Sequence, residues 1–277
     1  MGANNSGQPG VYGTEGIPAV GNVPGGRYAA ASWIDHSGNL WLFGGENLNS
    51  GQQIVLNDLW EFNPTNNEWT WISGSNAGNA QGVYGTQGTA STSNVPSSRT
   101  FSTSWTDSNG NLWLFGGDSL LTGSINDLWE FNPTTKAWTW VSGSSTAGTK
   151  GTYGTIGVAS TSNVPGAREG AIGWTDSSGN LWLYGGGGND STGAYGGLND
   201  VWEFSPTAKT WTWVSGANTV NAPGVYGTEG TAAASNAPEG RENSVNWIDT
   251  DGNLWIFGGE GLNPVGNAYN DLWRFQP

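Results

Sequence analysis

One passage of sequence recurs four times, and the copies differ in length at a single place. Arg27, Arg99, Arg168 and Arg241 open equivalent segments spaced 72, 69 and 73 residues apart, the self-similarity of a repeat architecture. In the first copy the Arg is followed by Trp33-x-Asp35, Gly38-Asn39-Leu40-Trp41, Gly44-Gly45, Asn57-Asp58-Leu59-Trp60-Glu61-Phe62 and Trp69-Thr70-Trp71. From the Asn of the Asn-Asp pair to the next Arg is 42 residues in each of the first three copies. The length freedom lies between the Gly pair and the Asn-Asp pair, which are separated by 11, 8, 12 and 10 residues (46–56, 118–125, 187–198 and 260–269). Insertions in repeat proteins gather on one face, often the binding face.

Each copy predicts four short strands. Residues 28–35 form the first, and Asp35-His36-Ser37-Gly38-Asn39 supplies the Gly and Asn of a tight hairpin. Leu40-Trp41-Leu42-Phe43 alternates aliphatic and aromatic side chains with the period of two that a strand requires. Leu59 to Phe62 is ended by Asn63-Pro64, because Pro cannot donate to a ladder. Glu68-Trp69-Thr70-Trp71-Ile72 is the fourth. Four antiparallel strands in series place the strand 2–3 loop and the 4–1 connection on the same side.

The pattern resembles the kelch repeat, carried by Gly44-Gly45, Gly116-Gly117, Gly185-Gly186 and Gly258-Gly259, the Asn-Asp-x-Trp runs after them, and the later Trp of each Trp-Thr-Trp. The resemblance implies an all-β fold, a kelch-type β-propeller of four repeats with four-stranded antiparallel blades, and a bacterial kelch-like protein. Residues 1–277 are read as one propeller domain or propeller segment, with repeats at about 27–98, 99–167, 168–240 and 241–277 and 1–26 as a leading inter-blade segment. A unit of about 70 residues exceeds the roughly 50 of an ordinary kelch repeat. The excess is a 25-residue connection (74–98 in the first copy) whose Tyr12, Tyr84, Tyr153 and Tyr226 recur, either as a tie over the blade or as ligand contacts. The last copy ends at Phe275-Gln276-Pro277, so the last blade is expected to lack its fourth strand. An unpaired edge is a template for another chain, and the competing expectations are a four-bladed monomer with a three-stranded last blade, self-association of chains that complete one another, excision from a larger propeller, or an engineered fragment.

Composition excludes several functions. A net charge of −14 with 8 Lys and Arg disfavours nucleic acid, whose phosphates need clustered cations. No segment has the roughly 18 consecutive apolar residues of a membrane span. With no Cys and one His, His36, the chain has neither thiolate sites nor a Ser-His-Asp triad, and cannot build the copper site of galactose oxidase, a kelch-type enzyme. No cofactor or metal is expected. Asp107-Ser-Asn109-Gly-Asn111 and Asp249-Thr-Asp251-Gly-Asn253 are oxygen-rich, but lack the EF-hand spacing and are read as self-stabilised turns. The low-Lys, Ser/Thr/Asn/Trp-rich composition points to an extracellular or periplasmic protein, with no signal peptide on this chain.

Each repeat Arg is expected to form an ion pair, against Asp35, Asp107, Asp176 and Asp249 or against Asp58, Asp127, Asp200 and Asp271. An Arg ring binding an anion is the alternative. The leading functional expectation is a non-catalytic scaffold that meets a protein or glycan through the variable loops, with Asn47, Gln52, Asp118, Leu120, Asp190, Tyr195, Glu260, Asn263 and Tyr269 as candidate binding residues. The alternative is a carbohydrate-active enzyme using the loop carboxylates Glu46, Asp118, Asp190 and Glu260.

Overall fold

The computed structural model describes residues 2, 7–49, 52–119, 122–263 and 265–277, without the side chains at 48, 49, 52 and 265. All regular structure among them is β, and none of them lies in a helix long and apolar enough to cross a membrane. The chain divides into two compact units, residues 1–123 with 127–142, and residues 124–126 with 143–277.

The first unit holds two antiparallel sheets in the expected order. Strands Ala31–Ile34, Leu40–Phe43, Leu59–Asn63 and Glu68–Ser73 form the first blade, and Thr103–Thr106, Leu112–Phe115, Leu128–Asn132 and Ala137–Ser142 the second. Trp33 is registered against Trp41, and Trp60 against Trp71. The two blades bury their faces on one another: Trp41, Phe43 and Leu59 join Leu112, Trp129, Phe131 and Trp138 in one core, with Trp41–Phe131 ring centroids 5.4 Å apart and Phe43–Trp138 5.6 Å apart. Rings of this size supply most of the area removed from water.

The second unit repeats the plan with one difference. Its first sheet has Ile172–Thr175, Leu181–Asn189, Tyr195–Ser205 and Thr210–Ser215, with Arg168–Glu169 added against the extended second strand. Its other sheet has Val245–Ile248, Leu254–Phe257 and Leu272–Phe275. Among the described residues this blade has three strands. Leu254 and Ile256 pack with Ile172, Trp174, Trp182, Tyr184 and Val201, and Phe275 meets Trp174 and Trp182 edge-on or tilted.

The Gly pair joins one blade to the next within each unit. The N–H groups of Gly45 and Gly186 donate to the carbonyls of Arg99 and Arg241 at 2.9 and 2.8 Å. Gly44 has φ 66°, and a Cβ there would stand 2.7 Å from the Arg99 carbonyl oxygen, so only Gly fits.

The variable segments are not open loops. Glu46–Asn49 pairs with Gln52–Val55, Asp118–Ser119 with Gly123–Ser124, and Glu260–Leu262 with Val265–Ala268. In the third repeat the two central strands run on through the segment as one long hairpin, with Asn189 opposite Tyr195. The 25-residue connections are ordered too, pinned by the bridges Val83–Val95 and Ser91–Trp138 in the first unit and Thr152–Val164 and Ser160–Trp211 in the second.

Candidate functional site

The most regular chemistry in the molecule is structural. Arg27 grips Asp58 with Nη1 on Oδ1 at 2.7 Å and Nη2 on Oδ2 at 2.8 Å, and Arg99–Asp127, Arg168–Asp200 and Arg241–Asp271 repeat the fork. Nε and Nη1 also donate to backbone carbonyls, those of Gly25 and Gly44 in the first copy. The Asp Oδ2 accepts two further hydrogen bonds, from Trp60 Nε1 and Tyr12 Oη at 2.7 Å in the first copy and from Trp202 and Tyr153 in the third. A carboxylate taken out of water needs this many donors. Burial first, then the facing carboxylate, pushes the hydroxyls of Tyr12, Tyr84 and Tyr153 well above the ordinary tyrosine range. Burial alone would lower Arg99 and Arg168, but Asp127 and Asp200 hold them above the usual value.

These contacts correct one expectation. Asp35, Asp107, Asp176 and Asp249 are not the partners of the repeat Args. Asp35 Oδ1 accepts the N–H groups of Ser37 and Asn39, and its Oδ2 accepts Trp41 Nε1 at 2.8 Å. Asp107, Asp176 and Asp249 hold Trp113, Trp182 and Trp255 in the same way. Their oxygens accept hydrogen bonds from their own hairpins, as Asx turns dictate, and not from the Args. The Trp255 indole and the Asn253 amide draw Asp249 down to about 2. The Arg ring fares likewise, since the guanidinium donors already serve protein acceptors at side-chain exposures of 0–5%.

The chemistry that varies from blade to blade sits one residue after each Arg. There Tyr28, Thr100, Glu169 and Glu242 pair across to the first residue of the variable segment, namely Glu46, Asp118, Gly187 and Glu260. In the first unit Tyr28 Oη donates to Glu46 Oε2 at 2.5 Å, and the Tyr28 and Phe101 rings meet edge-on. Glu46 is buried, and its other oxygen has no partner among the described residues. Burial raises Asp118.

In the second unit the same rung collects carboxylates. The Glu242 and Glu260 backbones exchange hydrogen bonds at 3.0 and 2.9 Å, and Tyr195 Oη donates to Glu169 Oε1 at 3.0 Å. A Cβ on Gly187 would stand 2.4 Å from Glu242 Oε2, 2.9 Å from Leu262 Cδ1 and 3.1 Å from Tyr195 Oη, so Gly187 leaves the space in which these groups converge. Burial, then the charges of Glu169 and Glu260, pushes the half-buried Glu242 carboxyl up to about 7. Arg241 does not offset it, because its fork is committed to Asp271 and its plane stacks over Tyr269 at 4.1 Å.

Of the sequence-chosen residues, Tyr195 and Glu260 belong to this cluster. The Tyr269 ring stacks against Arg241, and Asn263 lies in the adjoining exposed turn. Asp190 does not join: one oxygen takes N–H or O–H groups of Thr192, Gly193 and Ala194, and the other the amide of Val220, which together outweigh burial and lower its pKa. Asn47 is buried in the first hairpin with its Oδ1 lacking a partner among the described residues, Gln52 starts the returning strand, and Leu120 lies outside the described residues. Sequence reasoning missed Glu169 and Glu242. Their signal was available: the position after each repeat Arg is occupied by Tyr, Thr, Glu and Glu within otherwise recurrent surroundings.

A family model, that of the KLHDC2/KLHL20/DRC7 kelch-repeats domain, matches residues 14–233. No curated protein gives a significant match.

Proposed function

Because the chain belongs to the kelch-repeat family of β-propellers, whose members generally act as non-catalytic scaffolds that bind other proteins, we propose that it is a binding scaffold whose third and fourth variable hairpins receive a basic segment of a partner protein. The supporting observation is the Glu169–Glu242–Glu260 rung. Burial, with the like charges of Glu169 and Glu260 added to it, raises Glu242 to about 7, and an ammonium or guanidinium placed among these carboxylates relieves the repulsion. Tyr195, 53% exposed at the tip of the long hairpin, offers the aromatic surface that interfaces favour. The composition supports a location outside the cytoplasm, which fractionation of the source cells checks.

A labelled peptide with two adjacent arginines, compared with its citrulline counterpart, tests the reading by fluorescence anisotropy. Binding is expected to strengthen between pH 6 and pH 8 as Glu242 ionises, and to lose that dependence in Glu242→Gln. Equal affinity for both peptides sinks it.

A carbohydrate-active enzyme is the second reading. It is favoured by the same glutamate, since a carboxyl raised to about 7 beside other carboxylates is what a glycosidase uses as its acid. Steady turnover of aryl glycosides that disappears in Glu242→Gln would replace the scaffold reading. A glycan array without turnover would keep the scaffold and change its ligand class.

A further inference from the structure

Within the first unit, a slot of about 440 Å³ opens beside the last strand of the first blade, away from the variable hairpins. Its floor is that strand: Thr70 and Ile72 are buried, and Ser73 follows them at the register shift opposite Leu59. Pro18 comes from the connection laid along the same strand, whose Gly16 N–H donates to the Trp71 carbonyl at 2.7 Å. The second blade contributes Lys136, from the turn before Ala137–Ser142, and its own connection contributes Thr92. The volume is that of a small-molecule site.

Two features of the slot point to a ligand. The Lys136 ammonium donates to Glu61 Oε2 at 3.1 Å and stands 4.6 Å over the Trp41 ring, while Glu61 Oε1 accepts Asn39 Nδ2 at 3.0 Å. Both groups are therefore fixed in place, yet an ammonium has more donors and a carboxylate more lone pairs than these contacts use. Ser73 is the second feature. It is 7% exposed and its hydroxyl has no partner among the described residues, an unfavourable state that a bound polar group would relieve.

Charge and spacing narrow the ligand. Glu15 and Glu61 repel an anion, and Lys136 already occupies the place a cation would take. A donor and an acceptor 3.1 Å apart, Lys136 Nζ and Glu61 Oε2, suit adjacent hydroxyls of one sugar ring, one accepting from the ammonium and its neighbour donating to the carboxylate. The Thr70 and Ser73 hydroxyls can donate or accept, and Pro18 and Ile72 offer apolar surface to the C–H face of such a ring. The rim is where the repeats diverge: Glu15, Asn66 and Thr92 correspond to Gln87, Thr135 and Thr161 one repeat on, and to Ile156, Ala208 and Ala234 in the next. The floor and the glutamate recur as Thr139 with Glu130 and Thr212 with Glu203, so a common frame carries a polar rim in one place and an apolar one in another.

We propose that this slot binds one neutral sugar residue, held by the Glu61–Lys136 pair and Ser73. It goes beyond the carboxylate rung and does not depend on it.

The test is a titration of the 277-residue chain, followed by amide NMR, with D-glucose, D-galactose, D-mannose and N-acetyl-D-glucosamine, each as the free sugar and as a short homo-oligosaccharide. Expected is saturable binding of at least one probe, with the largest signal changes at Thr70, Ser73 and Thr92. Equal affinity for free sugar and chain assigns a single unit as the ligand, and tighter binding of the chain assigns a polysaccharide; both support the slot. Ser73→Ala removes an unpaired buried hydroxyl and so should leave stability equal or higher, yet weaken the sugar about fivefold, the worth of one hydrogen bond. The exposed pair Glu15→Ile with Thr92→Ala, which installs the apolar rim, should weaken it by roughly tenfold or more. No saturable binding of any probe, signal changes that spare Thr70, Ser73 and Thr92, or undiminished affinity in both variants overturns the proposal.

Discussion

The third and fourth repeats carry the same Arg-Asp-Tyr-Trp constellation in different solvent. Around Arg168 the Asp200 side chain is fully buried and Tyr153 is 4% exposed, whereas around Arg241 the Asp271 side chain is 18% exposed and Tyr226 53%. The hydrogen bonds are the same in kind. What differs is the strand that covers them, so covering, and not bonding pattern, sets how strongly each constellation couples to stability. In the covered copy, loss of one partner strands a charge away from water. In the uncovered copy, water can replace it.

The sharpest way to break this contrast is to remove the carboxylate. Asp200→Ala should cost about 3–5 kcal/mol, the penalty of an uncompensated buried cation, and Asp271→Ala roughly 1–2 kcal/mol because Arg241 can be rehydrated. Denaturant titration of the two variants measures both, and equal losses would mean that the fourth strand is not what dries the site.

Removing only the hydroxyl sharpens the contrast. Tyr153→Phe deletes a buried donor to Asp200 and should cost about 1–3 kcal/mol, against about 0.5 kcal/mol or less for Tyr226→Phe.

Glu242 gives a pH-dependent contrast. Its folded pKa of about 7 lies above the 4.5 of an unperturbed carboxyl, so its unfavourable contribution is absent below pH 4.5, grows as pH rises, and is complete above 7. Glu242→Gln should therefore stabilise the protein at pH 8 by about 1–2 kcal/mol after allowance for solvent screening, and leave it unchanged at pH 4.

Acid acts in the opposite sense on Asp271. Arg241 outweighs burial and holds it at about 2, below the ordinary 3.8, so its contribution is present above pH 3.8 and lost as pH falls through 2. Below pH 3.8 the stability of Asp271→Asn should fall less steeply than that of the unmodified protein. This is the smallest effect, because the group is partly exposed.

The blades were legible because their signals are local: tight turns at Asp35 to Asn39, strand alternation at Leu40 to Phe43, a stop at Pro64. The choice of Arg partner was not. Asp35 and Asp58 recur with equal regularity, and spacing alone does not say which carboxylate meets the guanidinium. The indoles decide it, since Trp41 claims Asp35 within its own hairpin while Trp60 Nε1 leaves Asp58 Oδ1 to the fork. The hairpins in the variable segments were hidden for another reason. Gly187-Gly188-Asn189 and Tyr195-Gly196-Gly197 have almost no side chains to alternate, so the period of two leaves no trace although both stretches are strand. The carboxylate rung joins residues more than 70 positions apart, Glu169 and Glu242, and only the packing of the third and fourth blades brings them face to face.

The carbonyl of each gripping arginine has a second duty in Arg99 and Arg241, where it receives the N–H of the Gly pair in the blade before it. One residue thus anchors its own sheet through the side chain and clasps the preceding sheet through the main chain. Loosening either arginine releases two neighbours together, so within each unit adjacent repeats should melt in concert and not one by one, the main-chain clasp adding to the shared aromatic core.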